Sequence, residues 1–278
     1  MTRALAAAGA ALALAAAAAA SPAPAVDRFD AARAWRWAAL QVGMGPRPAG
    51  SPALRRLAER LRSALPHGRF QELPGGLRNV WGVVRGRDRS RVVVVGAHYD
   101  TKDLPGFVGA IDGASGTAVV MELARIVKPG ALGPTVVFVL FDGEESPAGA
   151  PDSDFVHEGI RGSRAFAPGF RTAEAMILLD FVGNKQLVLR REGLSDARLW
   201  AKLRAAAARA GVGSVFPAAT QGGVLDDHYP FLQEGVPSID LIDFDFACWH
   251  RTCDDLSQVS PESLDATGEA VYELLRSL

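Results

Sequence analysis

The chain has 278 residues, enough for one generous domain or two small ones. Apolar side chains make up 49% and charged ones 22%, which allows a sizeable core and excludes global disorder. With 30 basic against 31 acidic side chains the net charge is −1, so the basic footprint of a nucleic-acid binder is missing; two cysteines, Cys248 and Cys253, are too few for a disulfide scaffold or a four-cysteine zinc site.

Arg3 precedes an uncharged alanine- and leucine-rich run over residues 4–20, followed by Ser21-Pro22-Ala23-Pro24-Ala25. We read residues 1–25 as a cleaved export signal; the competing reading is a membrane anchor, for which the run is short. No later stretch is long and apolar enough to span a bilayer. The expectation is an exported chain, residues 26–278, forming a single domain with no stable membrane partner.

Residues 29–41 carry a helical pattern, broken by the Gly/Pro-rich segment 43–50. Ser51 can cap a second helix over 52–65, with Pro52 at its first position. Residues 79–84 read as a strand. The β-branched run 91–97 (RVVVVGA) reads as a strand buried on both faces, as do 135–141 (TVVFVLF) and 175–181 (AMILLDF). Helices are expected over 113–127, 195–210 (capped by Ser195 or Asp196) and 261–278 (capped by Ser260), and a short strand over 237–242. Residues 146–162 are the longest irregular stretch and read as a surface loop near a site. The alternation of strands and helices implies an α/β sandwich around a mixed, mostly parallel sheet.

In such sheets, ligand sites form at the carboxyl ends of the strands. His98 and Asp100 follow the 91–97 strand; Asp142, Glu144 and Glu145 follow 135–141; Asp180 ends 175–181. Asp112 opens the 113–127 helix, and His250 lies beyond the 237–242 strand. Imidazoles and carboxylates at the ends of apolar strands need partners, and a divalent cation satisfies them together. Nitrogen plus carboxylate oxygen suits zinc. In the adjacent Glu144-Glu145 pair, one residue can ligate while its neighbour moves protons. Blander readings exist: a solvated Glu pair, a strand-end His98, a helix-capping Asp112, a turn at Asp180. His228, after Asp226-Asp227, is open between a structural role and a place in the substrate pocket. Cys248 and Cys253 bracket His250 and are either a disulfide that stiffens this loop or buried thiols. There is no G-x-S-x-G elbow, P-loop or H-E-x-x-H.

Six motifs then occur in a recognisable order: Gly96-Ala97-His98-Tyr99-Asp100-Thr101, Asp112-Gly113-Ala114-Ser115-Gly116, Phe141-Asp142-Gly143-Glu144-Glu145, Gly162-Ser163-Arg164, Leu179-Asp180-Phe181-Val182-Gly183 and Trp249-His250. From about residue 45 onward the chain resembles the zinc exopeptidases of peptidase family twenty-eight, which include secreted aminopeptidases and glutaminyl-peptide cyclotransferases. The resemblance implies a three-layer sandwich whose sheet has about eight strands. It implies that Asp112, Glu145 and His250 hold a catalytic zinc, that His98 and Asp180 hold a second one bridged by Asp112 in the aminopeptidases, and that Glu144 is the general acid/base. In the cyclotransferases the same two positions persist, but one zinc suffices.

Three features resemble the cyclotransferase branch: the segment from Gly222 to Leu232, in which Asp226 joins Glu144 and Asp180 in an acidic set; Trp249, as a pocket wall before His250; and His98-Tyr99-Asp100-Thr101-Lys102. Two features depart from it. Residues 146–161 lack the tryptophan-containing loop of the animal cyclases, and Arg251 stands where the family usually has threonine. The expectation is an enzyme acting on peptide or protein N-termini, with cyclisation of N-terminal glutamine ranked ahead of aminopeptidase hydrolysis and a metal-free peptide-binding relative as the remote alternative.

Overall fold

The apolar runs pair side by side in the computed structural model, which describes residues 28–278. The expected export segment, 1–25, lies outside the described residues. The strands are β1 (Arg69–Glu72), β2 (Arg78–Val84), β3 (Asp88–His98), β4 (Pro134–Phe141), β5 (Ala175–Leu179) and β6 (Ser238–Leu241), in the sheet order β1-β2-β4-β3-β5-β6. Strands β4, β3, β5 and β6 run parallel, while β2 is antiparallel to both β1 and β4. The mixed, mostly parallel sheet is as expected.

The helices are α1 (Ala31–Val42), α2 (Pro52–Ala64), α3 (Ala114–Ile126), α4 (Phe155–Glu158), α5 (Arg161–Phe166), α6 (Ala197–Arg209), α7 (Tyr229–Gln233) and α8 (Pro261–Ser277). Side chains alternate along each strand and feed two cores. Val93, Val95 and Ala97 pack with α1, α2, α3, α6 and α8, whereas Val94, Val139 and Met176 pack with Phe166 of α5 and Phe231 of α7. The three layers follow from this alternation. Ser51 accepts from the Leu54 amide and Ser260 from the Ser263 amide, both at 3.2 Å. Of the two caps open for α6, Asp196 takes the role, accepting from the Leu199 amide at 2.7 Å.

Two expectations are corrected. The described sheet has six strands rather than about eight. The segments flanking β6 form only isolated bridges, Asn184 with Val259 and Arg191 with Thr220. Backbone bonds from Leu189 to Val215, Arg191 to Ala219 and Gln221 to Arg191 link these segments, while buried carboxylates take other amides: Asp243 accepts from the Val188 amide, and Glu192 accepts from the amides of Leu194, Ser195 and Val224. The stretch 146–162 is not wholly irregular either. It contains α4, and Gly162 already lies inside α5. Backbone bonds from Ile160 to the Glu144 carbonyl and from Arg161 to the Gly143 carbonyl tie it to the end of β4.

Gly116 lets α3 sit against β5. A Cβ there would lie 2.0 Å from the Leu179 carbonyl oxygen. Gly116→Ala should therefore destabilise the fold by about 3 kcal/mol, because backbone cannot yield to overpacking as a side chain can. Gly169→Ala, whose Cβ meets nothing within 4 Å, should leave the thermal midpoint unchanged.

Candidate metal centre and cleft

Strand register gathers the donors. His98 ends β3, and because Gly96 pairs with Leu178 on β5, Asp180 emerges at the same level. His98 also pairs with Phe141, the last residue of β4, which sends Asp142 to Glu145 over the same rim. Asp112 arrives from the start of α3, followed by Gly113 at φ +84°. A Cβ at Gly113 would stand 2.7 Å from the Asp100 carbonyl oxygen and 3.0 Å from the His98 ring, so only glycine allows this close approach. Asp112 does not cap α3: its carboxylate turns to the histidines.

The side chains form two groups that share one member. His98 Nε2 lies 3.3 Å from both Asp112 Oδ1 and Asp180 Oδ1. His250 Nε2 lies 3.2 Å from Glu145 Oε1 and 3.6 Å from Asp112 Oδ2. Within each group, His98–Asp112–Asp180 and Asp112–Glu145–His250, one donor atom per residue falls within 4.8 Å of the others. Asp112 Oδ2 is buried without a hydrogen bond. Imidazole nitrogen with carboxylate oxygen, a shared carboxylate and an orphaned buried oxygen fit zinc in either group.

Electrostatics follow from burial. Desolvation disfavours charge on His98, yet Asp180, Asp100 and Asp112 hold its pKa well above the ordinary value. Asp112 is pushed up to about 6 by burial and by Glu145. Burial opposes ionisation of Glu145 too, but a hydrogen bond and the charge from His250, with Lys102 beside it, keep its pKa below the usual glutamate value. For Glu144 the balance goes the other way: burial, Glu145, Asp226 and Asp227 raise it well above normal, against His98, whose Nδ1 is 3.9 Å away.

Several supporting residues carry no local sequence signal. Asp254 is fully buried and accepts from the amides of Ile111 at 2.7 Å and Asp112 at 3.1 Å, which seats Asp112. Arg47, from the Gly/Pro-rich segment, is also fully buried; it donates to the carbonyls of Gln41, Gly45 and Val108 and sets a positive charge behind Asp100, Asp112 and Asp254. Asp100 accepts from the Glu145 amide at 3.2 Å and faces His98 Nδ1 at 3.5 Å, orienting a ring and a carboxylate together. Lys102 Nζ lies 3.1 Å from Glu145 Oε2; Lys102 stood in a motif noted above, whereas nothing in the spacing singled out Asp254.

A cleft of about 390 Å³ opens onto these groups. Glu144, Asp180 and Asp226 line it beside Trp249, Phe244 and Phe155. Trp249 is 44% exposed and its ring centroid is 4.5 Å from that of His250, so it walls the mouth. Phe155 of α4 comes from the stretch 146–161, which holds no tryptophan. His228 does not line the cleft. It is fully buried, with Nε2 3.3 Å from Glu192 and Nδ1 4.0 Å from Asp240, because the turn into α7 points its ring inward.

If Asp254 seats Asp112, Asp254→Asn should weaken zinc binding by about tenfold, read by chelator competition, since the carboxamide keeps an acceptor for one backbone N–H and turns a donor toward the other.

The model of peptidase family M28 matches residues 79–275. The chain is 30% identical over 206 residues to the aminopeptidase YwaD of Bacillus subtilis, covering 66% of this chain and 41% of that one. It spans about half the length of the curated relatives it matches. Among solved structures it is similar to a Zn-dependent exopeptidase from Parabacteroides distasonis, with TM-score 0.81 and 28% identity, covering 91% of this chain and 100% of that one. It is similar to the glutaminyl cyclase of Porphyromonas gingivalis with TM-score 0.80 and 30% identity, covering 91% and 99%. The sheet, the order of the donors along it and the match over most of its length agree: this chain belongs to peptidase family M28.

Proposed function

We propose that the protein is an exported zinc enzyme that converts N-terminal glutamine of peptides to pyroglutamate and releases ammonia. In this reading residues 1–25 are the removed signal and residues 26–278 one catalytic domain. The observation that carries it is the acidic set of Glu144, Asp180 and Asp226 lining one cleft beside Trp249. Buried Asp226 is raised well above the usual carboxylate pKa by desolvation, Asp180 and Asp227, so it can hold a proton next to Asp180. Similarity to a solved glutaminyl cyclase supports the same branch.

Asp112, Glu145 and His250 would hold the zinc, with His98 and Asp180 available for a second ion. When bound, zinc supplies Lewis acidity at the side-chain carbonyl oxygen. Glu144 accepts a proton from the substrate α-amine, whose nitrogen forms a bond to the γ-carbonyl carbon. Glu144 then delivers that proton to the departing amide nitrogen, the C–N bond breaks and ammonia leaves. Burial and its acidic neighbours raise Glu144 well above the ordinary carboxylate range, so it keeps a transferred proton more readily than a free glutamate would. Trp249, Phe244 and Phe155 keep competing water away from the carbonyl.

A second reading is aminopeptidase hydrolysis. What supports it is the similarity to the aminopeptidase YwaD; the His98–Asp112–Asp180 group could hold a second ion in either reading, with Asp112 common to both groups. Glu144 then deprotonates the attacking water rather than the amine. A peptide-binding relative without catalysis is disfavoured by the complete donor set and by the presence of Glu144.

One incubation separates these. A peptide beginning with glutamine should lose one ammonia by mass, while one beginning with leucine should stay intact; release of free leucine alone would replace cyclisation with hydrolysis. Glu144→Gln should lower turnover by about 10²-fold or more with zinc content unchanged, as expected for loss of a general base. Dialysis against a chelator should abolish turnover, and added zinc should restore it; activity that survives complete metal removal excludes the zinc reading.

A further inference from the structure

No residue from Phe244 to Cys253 is buried, yet this stretch carries the donor His250. The other four donors are buried, at the ends of strands or at the start of α3. Packing therefore cannot hold His250 as it holds them. His250 also sits at φ +51°, a left-handed conformation that a residue with a Cβ keeps only where its surroundings enforce it.

Two constraints enforce it. Cys248 and Cys253 form a disulfide with Cα atoms 5.5 Å apart, closing a ring with His250 inside. The next residue, Asp254, is buried and holds the amides of Ile111 and Asp112 with its carboxylate, while its carbonyl accepts from Ala110. The far end of the ring is thus fixed to the segment that bears Asp112, and the disulfide ties the near end to it. Within the ring, Arg251 donates to the Cys248 carbonyl at 3.0 Å. The Phe107 ring meets His250 edge-on with centroids 6.0 Å apart.

We infer that the Cys248–Cys253 disulfide is a positioning element of the metal centre: by closing the exposed loop against the Asp254 anchor, it presets His250 toward Glu145 and Asp112. Without the bridge, His250 samples other backbone conformations, and ligation has to order the loop at the moment of binding. Zinc affinity falls accordingly. The inference rests on the zinc reading above but not on which reaction follows.

The test titrates metal-free full chain with Zn²⁺ against a chromophoric chelator, at a temperature where circular dichroism shows each protein folded. Cys248→Ser/Cys253→Ser should weaken the binding step that His250→Ala abolishes, by about tenfold, the scale of effects from residues that orient a ligand. Placed on the His250→Ala background, the same pair should change the remaining binding by less than about twofold, because the loop then carries no ligand for the bridge to position. Affinity within about twofold of wild type in the serine variant overturns the inference, as does an equal loss in both backgrounds, which would mean general loosening. If the serine variant does not fold, native protein reduced and capped with iodoacetamide replaces it, with the same two outcomes. The binding curves do not depend on turnover, so failure of the glutamine peptide to react leaves this result standing, and the reverse also holds.

Discussion

Buried negative charge governs the carboxyl end of the sheet. Asp100, Asp112, Glu144, Glu145, Asp180, Asp226, Asp227, Asp240 and Asp254 are all buried there, and the cations that face them are His98, His250, Lys102 and Arg47. Like charges in a poorly solvated region cannot all stay ionised. The protein answers in two ways. Asp226, Asp227 and Asp240 are driven toward the protonated form, first by burial and then by one another and their acidic neighbours. Asp112 and Glu145 are instead set against imidazoles, where a divalent ion would relieve what two rings leave uncompensated.

This division separates two kinds of carboxylate in one small volume. Those against His98 and His250 are arranged as donors. Those on the side of Asp226 can keep protons and take part in hydrogen bonds to a substrate. Glu144 stands between them, adjacent in sequence to the candidate ligand Glu145 and raised in part by the charge of Asp226. Its position explains how neighbouring residues after a single strand can have opposite shifts: Glu145 has His250 and Lys102 beside it, whereas around Glu144 burial and three acids outweigh His98.

The legible parts of the sequence were those governed by local rules. RVVVVGA, TVVFVLF and AMILLDF are buried on both faces and admit few other interpretations. Ser51 and Ser260 announce their helices by type and position, as do the polar residues placed directly after the apolar runs. What escaped depends on distant chain. Strand β1 is a short, polar edge strand with no run to betray it. The strand count implied by resemblance was higher than the six seen: residues 189–193 and 215–222 exchange some backbone bonds, but Asp243 and Glu192 capture neighbouring amides, and no spacing rule reports such captures. Asp254 and Arg47 act on donors far away in sequence. His228 lies in a motif that suggested the pocket, but the orientation of a ring inside a turn is decided by Glu192 and Asp240, both remote from it in sequence.

Asp112 has one oxygen toward His98 and the other toward His250, so neither donor group owns it. Two ions held there could not behave as independent sites. The first would polarise the common carboxylate and fix its orientation, which favours arrival of the second; it would also place a positive charge close by, which opposes it. Whichever prevails, the linkage is reciprocal. Loading is then expected to proceed stepwise, and a substituent that disturbs Asp112 alters both association constants at once.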